Sequence, residues 1–172
     1  TLNLLSAYDY KKETQSPSMA LCGDELVVTS RQGLFVWSTK TMKGSYFKVG
    51  QSASTALTSL SVTGSGVVIF NMANWYLYQA GKGIQKLTAD SSIQIEKDNA
   101  VKLQTASSND TIYLVTNPAG TLQKLVLENN RVKRVDKIDY HDYINSVIRD
   151  GNVWVNTRNK SIAIGTDEVI SN

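Results

Sequence analysis

Cysteine, histidine and proline are almost missing from this chain of 172 residues, with one, one and two copies respectively. A single cysteine, Cys22, excludes an intrachain disulfide. It lies in the apolar stretch Met19-Ala20-Leu21-Cys22, where a small buried thiol is expected rather than a reactive one. No apolar run approaches the ~18 residues of a membrane-crossing helix, so no membrane insertion is expected. No basic segment leads into an apolar one, as a secretory leader would require. The chain starts at Thr1 rather than Met, which reads as processing or excision from a longer chain. Charge of either sign is modest: 18 Lys and Arg against 15 Asp and Glu give a formal +3. The signs are interspersed, which points to no particular partner. The triplets Asn109-Asp110-Thr111 and Asn159-Lys160-Ser161 are formal glycosylation acceptors, but such triplets are common by chance and fix no compartment.

Long amphipathic helices are missing too; short strands and tight turns take their place. Four apolar segments recur at roughly 40 to 45 residue intervals, a spacing typical of repeat architectures. They are Glu25–Thr29, Gly66–Phe70, Thr111–Val115 and Asn152–Asn156. Each is nearly continuous in Val, Ile and aromatics, the composition of a strand buried on both faces. Short strands rich in small residues precede them at 18–21, 58–61, 103–106 and 145–148. The intervening turns carry Gly, Asn or Asp, which tolerate the positive φ that tight hairpins demand. Third strands follow at 34–37, 75–78, 122–126 and 162–164. More polar fourth strands are expected at 46–49, 84–87 and 131–135, where Lys and Arg protect an outer edge from pairing.

The last repeat ends almost where its fourth strand should begin, at Val169–Asn172. Either residues 1–8 complete that outer position, or the chain is a segment of a larger ring. The polar stretch Thr88–Ala100 reads as a connection between repeats, with a short strand at Ile93-Gln94-Ile95.

With the repeats aligned, Glu25–Val49 (ELVVTSRQGLFVWSTKTMKGSYFKV) resembles the generic blade of extracellular sensor propellers and quinoprotein-like propellers. The Gly-His and Trp-Asp signatures of WD40 repeats and the paired glycines of kelch repeats are absent. A four-bladed hemopexin-like ring needs a terminal disulfide that one cysteine cannot form. The resemblance implies an all-β fold: β-propeller-type blades of about four antiparallel strands, four repeats in one domain over residues 1–172, complete or part of a larger propeller. It also implies a scaffold or recognition surface, with no catalytic residue and no cofactor to transfer. A sandwich of evenly spaced strands is the competing architecture.

Chemistry-bearing motifs are few. His141, the only histidine, sits between carboxylates in Asp139-Tyr140-His141-Asp142-Tyr143. A transition-metal site needs more His or Cys ligands than this chain supplies, so a solvated or packing histidine is expected, and no metal site. A hydrolase triad would have to use His141, and no Gly-x-Ser-x-Gly elbow presents a serine. Gly81-Lys82-Gly83 lacks P-loop spacing and reads as a turn. In Arg131–Lys137, strand alternation splits the basic residues between two faces, so nucleic-acid binding is not expected. Trp37, Trp75, Tyr76, Tyr78 and Trp154 read as packing between blades, with Trp75 the most exposed because a turn residue precedes it.

The expected function is therefore a non-enzymatic recognition module. The turns after the second strands and the connections between repeats share one face. That face would present Arg31, Gln32, Asn71, Asn74, Trp75, Asn117, Arg158 and Asn159 to a protein or peptide, with a glycan as the alternative. The second reading is a structural subunit that docks through its open blade edge, as a homo-oligomer or with the remainder of a longer chain.

Overall fold

A computed structural model describes residues 18–29, 33–49, 59–71, 74–93, 100–104, 110–150, 152–164 and 169–171. Among the described residues, sixteen strands form four successive groups. The first group is β1 (Met19–Cys22), β2 (Glu25–Thr29), β3 (Gly33–Ser38) and β4 (Lys43–Lys48). The second is β5 (Ser59–Thr63), β6 (Gly66–Asn71), β7 (Asn74–Gln79) and β8 (Gly83–Ala89). The third is β9 (Ala100–Gln104), β10 (Thr111–Asn117), β11 (Thr121–Glu128) and β12 (Arg131–Asp139). The fourth is β13 (Ile144–Asp150), β14 (Asn152–Thr157), β15 (Lys160–Ala163) and β16 (Val169–Ser171). Within each group consecutive strands are hydrogen-bonded neighbours, an antiparallel meander.

Contacts divide the chain into two compact units: Thr1–Val62 with Gly66–Lys86, and Thr63–Ser65 with Leu87–Asn172. In the first, Val27, Leu34 and Val36 of one group pack with Val67, Ile69 and Tyr78 of the next. In the second, Tyr113, Val115 and Leu122 pack with Ile144, Val147 and Val155 in the same way. Within each unit, one sheet therefore buries a face against the next. Four successive residues of β6, Val67 to Phe70, are buried, so both faces of the strand are covered. Outer strands behave oppositely. Leu87 is the buried residue of β8 and Val132 that of β12. The tail of β8 adds one irregularity in the second unit. Thr88 and Ala89 run parallel to Arg131 and Val132, and the Asp90 N–H donates to the Val132 carbonyl at 2.8 Å.

Several expectations need correction. Trp75 is 2% exposed rather than the most accessible tryptophan. It stands directly opposite Phe70 in the β6–β7 register, with ring centroids 4.6 Å apart, so the pair turns inward together. Cys22 is half-buried, because β1 alternates between exposed and partly covered positions. The outer place of the last group belongs to β16, where Ile162 pairs with Val169. Residues 1–8 lie outside the described residues, as do Gln94 and Ile95 of the expected short strand.

Candidate functional site

In the second unit, strand register brings three connections to one end. Thr121 pairs with Asp139, so the β10–β11 turn and the exit of β12 lie together. Ile144 pairs with Thr157, so the entry of β13 and the β14–β15 turn join them. The face consists of the 117–120 turn, the 140–143 connection and the 157–160 turn.

Two backbone contacts fix this assembly. Asn117 is 6% exposed; its Nδ2 donates to the Ile144 carbonyl at 2.9 Å and its Oδ1 accepts the Ile144 N–H at 3.0 Å. Gly120, at φ +70°, meets the connection so closely that a Cβ there would lie 1.8 Å from the Asp142 carbonyl oxygen. The Tyr140 N–H closes the contact by donating to the Gly120 carbonyl at 2.9 Å.

Asp142 organises the polar part. Its Oδ1 accepts the Tyr143 N–H at 2.8 Å and its Oδ2 accepts Asn159 Nδ2 at 3.1 Å. A hydrogen bond from the Thr157 hydroxyl is the largest of several that hold this carboxyl below its ordinary range, against the opposing effect of burial. Thr157 Oγ1 in turn accepts the N–H groups of Asn159 and Lys160, at 3.4 and 3.3 Å. On this frame the Arg158 guanidinium sits 5.1 Å from the centroid of the exposed Tyr143 ring. Arg158 is exposed and forms no ion pair among the described residues. His141, which precedes Asp142 in the chain, is exposed, with φ +52°. The face thus offers a fixed cation, an aromatic ring and an amide to whatever approaches.

Of the residues expected on this face, Arg158 and Asn159 are exposed and come together. Asn117 and Trp75 are buried; the first is consumed in holding Ile144 and the second in packing. Asn74 is half-buried and pairs with Asn71 at the β6–β7 turn of the first unit. Arg31 and Gln32 lie outside the described residues. Tyr143 and Asp142 were missed, although the run Asp139–Tyr143 occupies the connection that the repeat pattern already assigned to the same face.

No family model and no curated protein matches this chain. Among solved structures, it is similar to the WD40 domain of Pan2 from Neurospora crassa. Identity is 13% and the TM-score 0.64, over 94% of this chain and 50% of that one. A chain of the yeast heterotrimeric Nup82-Nup159-Nup116 nucleoporin complex matches at 10% identity and a TM-score of 0.60, over 90% and 61%. The extracellular domain of a putative one component system from B. thetaiotaomicron matches at 18% and 0.58, over 89% and 21%. The chain therefore spans 50% and 61% of the first two chains. At such identities the likeness is one of fold, and it agrees with the packed four-stranded groups: this is a chain of β-propeller blades.

Proposed function

We propose that this chain is a non-enzymatic recognition module, and that the loop face of the second unit binds a protein or peptide. The observation that carries this reading is the Arg158 guanidinium held over the Tyr143 ring with no ionic partner among the described residues. A guanidinium carries five N–H donors in a planar fork suited to carboxylate and carbonyl groups. Stacking on Tyr143 and the Asp142 network order it in advance, which lowers the entropic cost of binding. Arg and Tyr are also the residue types that dominate interface energetics. One of the similar chains belongs to a heterotrimeric complex, which is consistent with such a role.

The test is selection of peptides from a random display library on the immobilised protein, repeated on Arg158→Glu and Tyr143→Ala. Peptides that bind the parent and lose roughly tenfold or more on both variants support the reading. Equal binding to all three proteins, with unchanged thermal unfolding, would remove this face from consideration.

A second reading, a structural subunit docking through a blade edge, has its own observation. The outermost strand β16 exposes Val169 at 51% and Ile170 at 52%. Light scattering separates the two readings. A defined oligomer that dissociates in Val169→Asp with Ile170→Asp favours the subunit, and a monomer favours the recognition module.

A further inference from the structure

The first unit contains an open groove of about 560 Å³ that is separate from the loop face. One wall is β4, which lines it with alternate residues Lys43, Ser45 and Phe47; Lys82 lines it from the β7–β8 turn of the second group. Glu25 also lines the groove, and its Oε2 accepts the Tyr78 hydroxyl at 2.7 Å. Tyr78 is buried and meets Phe47 edge-on, at 5.6 Å between ring centroids. The carboxylate is thereby anchored from below, with Oε1 left as an acceptor.

Charge decides what fits. Lys43 and Lys82 are exposed and form no ion pair among the described residues. Asp24, the carboxylate next to Glu25 in the chain, is already taken by Lys40. Two ammoniums against one carboxylate favour a ligand with an anionic group, while Glu25 asks for a hydrogen-bond donor. A peptide carries both, its acidic side chain supplying the first and its backbone N–H the second. Spacing also favours an extended chain. Lys43 and Phe47 are separated by about 13 Å along β4, the distance covered by four residues of an extended peptide.

We propose that this groove binds an extended peptide segment bearing an acidic residue and an apolar residue four positions apart. The acidic side chain pairs with Lys43 and Lys82, the apolar one rests on Phe47, and a backbone N–H of the peptide donates to Glu25. This site is independent of the Arg158 face, and either can fail without the other.

The experiment is a titration of the isotopically labelled chain with acetyl-Glu-Gly-Ser-Gly-Leu-amide and with the reversed sequence, followed by amide chemical shifts. The expected result is saturable shifts centred on Lys43, Ser45 and Gly81–Gly83. Binding should weaken roughly tenfold when Gln replaces the peptide's Glu, or when Lys43→Ala is combined with Lys82→Ala. Both lysines are exposed, so the double variant should keep its thermal midpoint. Glu25→Gln keeps one acceptor for Tyr78 but replaces the oxygen that receives the peptide N–H with an amide donor, so it should bind more weakly. The proposal is overturned by equal binding of the Gln peptide, by an absence of saturable shifts, or by shifts centred on Tyr143 and Arg158. Glucuronate producing the same shifts as the peptide would overturn the peptide assignment in favour of an acidic sugar.

Discussion

Asn117 and Ile144, 27 residues apart, are joined by two hydrogen bonds, with the Asn117 side-chain amide serving the backbone N–H and C=O of Ile144. Asn117 thus does for the start of β13 what a neighbouring strand would do. Both residues are buried, so water cannot replace the amide. Asn117→Ala should lower unfolding stability by about 2–4 kcal/mol, since two buried backbone groups lose their partners. Asn117→Asp loses the donor and buries a charge, so it should be at least as costly at neutral pH. It should recover part of the loss in acid, where the protonated carboxyl can donate again. Urea denaturation at two pH values checks both, and an alanine cost below roughly 0.5 kcal/mol would contradict the clasp.

Gly120 supports the same junction by having no side chain. At φ +70°, with a carbonyl oxygen in the space of a Cβ, alanine is opposed both by conformation and by contact with backbone. Gly120→Ala should cost more than about 2 kcal/mol, or push the 140–143 connection away. Hydrogen exchange reports the second outcome as faster exchange at Tyr140 and Tyr143. Unchanged stability together with unchanged exchange would mean that the contact is looser than the geometry states.

The parts of this fold written locally were legible in the sequence. The Val- and Ile-rich second strands announce burial on both faces, because few other environments accept four consecutive apolar residues. Turn chemistry was equally plain: Gly23, Asn129 and Asn130 adopt φ +62°, +50° and +59° where hairpins were expected. The absence of WD40 dipeptides did not mislead, since the packing of sheet on sheet does not depend on them. What could not be read was direction at strand ends. Asn117 and Trp75 stand beside turns, and a single residue of register decides whether such a side chain faces solvent or core. Nor could non-local pairs be read. Tyr143 meets Arg158, and Tyr78 meets Glu25 across 53 positions, through packing that periodicity does not encode.

Asp142 makes the loop face sensitive to acid. Its carboxyl is held below the ordinary range, first by Thr157 and then by the Tyr143 and Asn159 groups, with burial opposing. A depressed folded-state value contributes stability above the unfolded value of about 3.9, and that contribution is lost as pH falls through the lower folded value. The amide signals of Tyr143 and Asn159 should therefore shift in acid before the chain unfolds globally. Asp142→Asn should abolish that titration while keeping an acceptor for Asn159. Identical acid titrations in the parent and the variant would mean that another group controls the face.

Tyr78 predicts the opposite, alkaline, behaviour in the first unit. Its phenol is pushed up from the ordinary value, first by burial, then by the hydrogen bond to Glu25 and by the charges of Glu25 and Cys22. Above about pH 10 the unfolded chain releases this proton while the folded chain keeps it. The unfolded state then binds fewer protons, so stability falls as pH rises. Tyr140 in the second unit shifts in the same direction, again chiefly by burial, and adds to the slope. Tyr78→Phe removes a hydrogen bond to a charged group and should cost about 1–2 kcal/mol near neutral pH. It should also flatten the decline between about pH 10 and pH 11, leaving the part due to Tyr140. Denaturation curves across that range decide the matter: parallel declines in the parent and the variant would show that Tyr78 ionises as freely in the folded chain as in the unfolded one.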